Sequence, residues 1–71
     1  MEVRKRIAEV CDLKSGWLNG QGEAIWVNPV FAESVARALE AAGLSGFSIY
    51  PSCDGEVIFE WPDGREIAID G

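Results

Sequence analysis

Chemistry in this chain could come from two carboxylates, two thiols or a glycine-rich loop. Glu60 and Glu66 flank a Pro-Asp-Gly turn and fall opposite each other if the flanking segments pair, which invites a paired-carboxylate reading. A glycosidase pair works across a cleft, with one pKa raised by burial. An open sheet in so small a domain gives instead a solvated like-charge pair. Cys11 and Cys53 are too few to close a structural zinc site, which takes four Cys or His ligands, and the chain has no histidine. The same absence removes the commonest general base. Cys53 sits among acidic neighbours in an Asp-Gly turn and makes a poor nucleophile. Gly16-Trp17-Leu18-Asn19-Gly20-Gln21-Gly22 lacks the Gly-Lys-Ser/Thr ending and the preceding strand of a phosphate loop. It reads as a tight loop pinned by Trp17. The expectation is a protein that is not an enzyme and holds no metal and no cofactor.

The elements around these residues begin with Val3, Ile7 and Val10, which recur at helical spacing and give a short helix over 2–13. Residues 14–27 form a Gly/Trp loop that contains the apolar run Ala24-Ile25-Trp26-Val27, which could be extended. Asn28-Pro29 is the clearest boundary: Asn caps a helix, and Pro at its first position gives up an N–H that has no partner anyway. The helix runs over 29–42, with an apolar stripe of Val30, Phe31, Val35, Ala38, Leu39 and Ala42, and an i,i+4 pair of Glu33 with Arg37. Gly43 ends it, and Leu44 folds back on its last turn.

Residues 47–70 hold three short β runs, separated by Cys53-Asp54-Gly55 and Pro62-Asp63-Gly64. A one-residue slip would move every side chain to the other face, so loop length decides the register. Three-residue loops ending in a left-handed Gly pair Ile49 with Phe59, Phe59 with Ile67 and Val57 with Ile69. The inner face is then Phe47, Ile49, Pro51, Val57, Phe59, Trp61, Ile67 and Ile69, packed on the 29–42 helix. The predicted fold is α+β: two helices, then a three-stranded antiparallel meander (α-α-β-β-β), in one domain over 1–71. Its outer face sets Tyr50, Ile58 and Ala68 in one row, with Glu56, Glu60, Glu66 and Asp70 around it.

These motifs resemble a set of small uncharacterised proteins of bacterial and phage genomes. The likeness rests on Gly16-Trp17-x-x-Gly20-x-Gly22, a Pro-initiated helix, and Pro51-x-x-Asp54-Gly55-x-Val57-x-x-Glu60-Trp61, and covers about residues 11–70. It implies the fold and a prokaryotic or phage origin, and attaches no activity.

Charge narrows the partners. The net charge is −6, from twelve Asp/Glu against six Lys/Arg, and it is uneven. Residues 44–71 carry six acids against Arg65 alone, which repels phosphate and argues against direct nucleic-acid binding. The Arg4-Lys5-Arg6 run reads as a solvated helix face. No apolar stretch approaches the roughly 18 residues of a membrane span. The first ten residues lack the apolar core of a secretion signal, so a cytoplasmic protein with both thiols reduced is expected.

A chain of 71 residues fills one core and is marginal as a monomer, so a homodimer or a bound partner would help it. The function expected is that of a small acidic protein-binding module, an inhibitor or accessory factor of the antitoxin-like or anti-defence kind, acting on a basic protein surface. One variant is nucleic-acid mimicry, with a nucleic-acid-binding protein as the partner; another is a structural component of a larger assembly. The expected contact surface is the outer sheet face of Tyr50, Ile58, Ala68, Glu56, Glu60, Glu66 and Asp70. The alternative is the loop surface of Trp17, Leu18 and Trp26, where aromatic residues could anchor a partner. The competing reading of Trp17 and Trp26 is that each plugs one end of the core.

Overall fold

The computed structural model describes residues 2–70 and has the expected order of elements. Helix α1 spans Val3–Cys11 and helix α2 spans Pro29–Ala41; strands β1 (Ser48–Pro51), β2 (Val57–Glu60) and β3 (Glu66–Ile69) follow. The strands form one antiparallel sheet in the order β1-β2-β3. Among the described residues no helix is long and apolar enough to cross a membrane.

Both helices end where local chemistry dictates. The Glu2 carboxylate accepts the Arg4 N–H and starts α1, which is shorter than the expected 2–13. Asn28 Oδ1 accepts the N–H of Val30 at 2.8 Å and of Phe31 at 3.4 Å, with Pro29 at the first helical position. At the other end Gly43 takes a left-handed φ of 80°, and the Leu44 N–H returns to the Leu39 carbonyl. This is the fold-back that the Gly-Leu pair requires.

Register follows the turns. Ile49 pairs with Phe59, Tyr50 with Ile58, Phe59 with Ile67 and Glu60 with Glu66. Gly55 and Gly64 both adopt a left-handed φ at the ends of the three-residue loops. Phe47, Ile49, Val57, Phe59 and Trp61 are buried on the inner face, with Phe47 edge-on to both Phe59 and Trp61. The Trp61 indole N–H donates to the Leu44 carbonyl at 2.8 Å and ties the end of β2 to the chain after α2.

The helices depart from expectation in rotation and placement. Val3, Ile7 and Val10 bring α1 close to the sheet at β1, and α2 packs chiefly on α1 rather than on the sheet. The buried face of α2 is Ala32 and Ala36, flanked by half-buried Val35 and Leu39. Val30, Phe31, Ala38 and Ala42, assigned above to the buried stripe, are exposed. Ala32 and Ala36, four residues apart, make one small-residue face of α2. With α1 seated over β1, the far side of the sheet is less covered. Ile67 on β3 is 39% exposed, although its partner Phe59 is fully buried.

Candidate functional site

The site begins with alternation along three short strands. Tyr50, Ile58 and Ala68 stand opposite one another across β1, β2 and β3, so their side chains share the outer face. Tyr50 is 43% exposed, Ala68 is exposed and Ile58 is half-buried between them. Glu60 and Glu66 face each other one step along the same face, and Glu56 and Asp70 have the same parity at its other end. The register therefore sets Tyr50, Ile58, Ala68, Glu60 and Glu66 on one face, with Glu56 and Asp70 next to it in the chain.

The ladder fixes how close the two glutamates lie. The Trp61 N–H donates to the Arg65 carbonyl at 2.9 Å, which makes Trp61 and Arg65 a hydrogen-bonded pair. Hydrogen-bonded and non-hydrogen-bonded pairs alternate, so Glu60–Glu66 and Ile58–Ala68 are of the closer kind. Like charges directly opposite are destabilising.

The ion pairs form away from the four outer-face carboxylates' own side chains. Arg4 pairs with Glu33, Arg6 with Glu9, Lys14 with Asp12, Arg37 with Glu33 and Glu40, and Arg65 with Asp63. Among the described residues none of Glu56, Glu60, Glu66 and Asp70 has a cationic partner. The outer face is thus a small apolar row inside a rim of uncompensated carboxylates.

The alternative surface divides. Trp17 is committed to its own loop: its indole N–H donates to the Glu23 carbonyl at 2.7 Å, and its ring covers Gly22. Between them Leu18 and Gln21 exchange backbone hydrogen bonds around Asn19-Gly20, both at positive φ. That is a two-residue type I′ hairpin, which the Asn-Gly dipeptide signals. Leu18 is exposed beside this tip.

Trp26 does not plug the core: it is 86% exposed. The extended segment turns Ile25 and Val27 inward, and alternation forces the residue between them outward. Trp26 lies close in sequence to exposed Val30, at 73%, and Phe31. Sequence reasoning missed this apolar group at the start of α2 because it assigned Val30 and Phe31 to the core.

The thiols are separate. Cys11 and Cys53 are both free; Cys53 is exposed, whereas partial burial pushes the Cys11 thiol pKa up. Among the described residues, no three His, Cys, Asp or Glu side chains gather as a metal site. Glu60 is half-buried and Glu66 exposed on the outer face.

No protein-family model matches the chain, and neither a curated protein nor a solved structure is significantly similar to it.

Proposed function

We propose that this protein is a small acidic binding module whose outer sheet face engages a basic surface on a protein partner. The observation that carries this reading is the combination on one face of the Tyr50–Ile58–Ala68 row with four carboxylates that have no cation of their own among the described residues. An apolar centre supplies affinity and a charged rim steers encounter. The opposed Glu60 and Glu66 support a cationic partner in particular, because a Lys or Arg between them would convert a repulsion into two ion pairs. The role proposed is inhibition or assistance of a basic, including a nucleic-acid-binding, protein in a prokaryotic or phage setting. Its mode of action is binding, with no catalysis of its own.

A second reading, a component of a larger assembly, is favoured by the exposure of Trp26, Val30 and Phe31, three large apolar side chains near the start of α2.

The test is capture from the source cell, identification of the retained protein, and titration of the purified pair. Ile58→Lys places a cation in the centre of the row and should abolish binding while the fold survives. Should Ile58→Lys and Tyr50→Ala leave the complex intact while Trp26→Ala destroys it, the sheet-face reading is wrong.

A further inference from the structure

The two edges of the sheet are finished differently. In β1 the Ser52 N–H donates to the Glu56 carbonyl, so Ser52, Tyr50 and Ser48 direct their backbone groups at β2, while Ile49 and Pro51 direct theirs outward. Both outward positions are half closed, the Ile49 N–H and the Pro51 carbonyl meeting no partner among the described residues. The Arg6 side chain of α1 donates to the Ile49 carbonyl at 2.9 Å, and Pro51 has no N–H to offer. In β3 the same alternation, counted from the Trp61–Arg65 pair, turns the backbone groups of Glu66 and Ala68 away from β2. No backbone or side-chain partner among the described residues meets them. The strand carries no Pro; it is four residues long, and its charges are Glu66 and the following Asp70.

We infer that the open edge of β3 takes a fourth strand from a partner protein, an extended segment in which basic residues alternate with apolar ones. The inference rests on the proposed reading of the sheet as the surface for a basic partner, and adds the backbone geometry of the contact. Side chains of an added strand alternate between the faces as those of β3 do. On the outer face they meet Glu66 and Asp70, which calls for Lys or Arg. On the inner face they meet Ile67 and Ile69, beside a hollow of about 120 Å³ lined by Leu44, Trp61, Arg65 and Ile67, which calls for Val, Ile or Leu. Main-chain hydrogen bonds to Glu66 and Ala68 supply affinity, and the two sets of side chains supply selection. A second copy of the chain fits poorly. The antiparallel register centred on Ala68 sets Glu66 of each copy against Asp70 of the other, and two chains of net charge −6 repel.

The probe is the peptide acetyl-Thr-Lys-Val-Lys-Val-Lys-Thr-amide, titrated at low salt into the isotope-labelled protein, with the Glu-for-Lys peptide alongside. Hydrogen exchange at the Glu66 and Ala68 amides should slow by about tenfold or more with the Lys peptide and stay unchanged with the Glu peptide. Ala68→Pro removes an outward N–H without touching the β2–β3 ladder, and should weaken binding by about tenfold or more. The double charge reversal Glu66→Lys and Asp70→Lys keeps the edge intact and should exchange the preference for the two peptides. Shifts confined to Tyr50, Ile58 and Glu60, with exchange at Glu66 and Ala68 unaltered, overturn the edge contact and leave the sheet-face reading standing. No perturbation anywhere overturns both. A peptide-independent dimer that Ala68→Pro abolishes would make the occupant a second copy and overturn the stated partner.

Discussion

Glu60 and Glu66 lie directly opposite each other in a non-hydrogen-bonded pair of the β2–β3 ladder, with no cation beside them among the described residues. The isolated protein therefore bears a like-charge contact that a single substitution can relieve. Glu66→Lys should stabilise the free protein by about 0.5 kcal/mol at low salt, because it converts a cross-strand repulsion into an attraction. Urea unfolding with and without added salt checks this. A gain that persists unchanged in high salt would show that the charge pair is not its source.

Gly22 should resist substitution. Its φ is +93°, and a Cβ there would stand 2.9 Å from the Trp17 ring. Gly22→Ala is expected to cost about 1–2 kcal/mol from backbone conformation alone, before the ring shifts. Trp17→Ala in the same background should recover part of the steric component while losing the bond to Glu23. A double-mutant cycle in urea measures that coupling. Independent, additive effects would mean that the ring does not hold the loop.

Trp26 should be silent in folding. Being almost fully solvated, it contributes little burial, and Trp26→Ala should change stability by no more than about 0.5 kcal/mol. The same substitution should remove most of the acrylamide-accessible fluorescence, since Trp61 is buried and Trp17 is half-covered. A large loss of stability would place Trp26 in the core after all.

How much of this was legible varied with the kind of signal. The pairing of Phe59 with Ile67 could be read because loop length sets parity, and both X-Asp-Gly turns gave the same apolar face. The ends of α2 could be read because Asn28, Pro29 and Gly43 act locally. The rotation of α2 could not. Its two candidate faces, one through Phe31 and Val35 and the other through Ala32 and Ala36, are neighbours on the cylinder. The buried one is the face of small residues, not the more hydrophobic one. Trp26 misled in the same way, since an apolar run shows no parity until Ile25 and Val27 are seen to turn inward. The Asn19-Gly20 hairpin carries its signal in the dipeptide itself, inside the 14–27 loop. The outer-face residues were legible as a surface; the finish of each edge was not, because Arg6 reaches Ile49 from a helix distant in sequence.

The Asp63 carboxylate should titrate below the ordinary Asp range. It accepts the Arg65 backbone N–H at 3.1 Å, the main cause, and the Arg65 Nε–H at 2.7 Å. A carboxylate whose folded pKa is depressed adds stability that is fully present above its unfolded pKa and fades as pH falls through the folded value. The hairpin should therefore loosen only in that acidic window. Carbon-detected NMR of the carboxyl group gives the midpoint, and Arg65→Ala should leave much of the depression in place because the backbone bond remains. A midpoint restored fully to the ordinary value by Arg65→Ala would assign the effect to the guanidinium instead.

The last expectation separates the rim of the sheet face from its centre by kinetics. Long-range attraction acts before contact, so Glu60→Gln with Glu66→Gln should slow association with a basic partner and flatten its salt dependence. Dissociation should change less. Ile58 acts only after contact, through apolar area that leaves water. Ile58→Ala should therefore speed dissociation and leave the association rate nearly unchanged, since most affinity differences among variants of one interface lie in the off-rate. Stopped-flow mixing of the purified pair at two ionic strengths resolves the two rates. Should the double Gln variant alter only dissociation, and Ile58→Ala only association, the apolar row inside a carboxylate rim is not the arrangement that binds the partner.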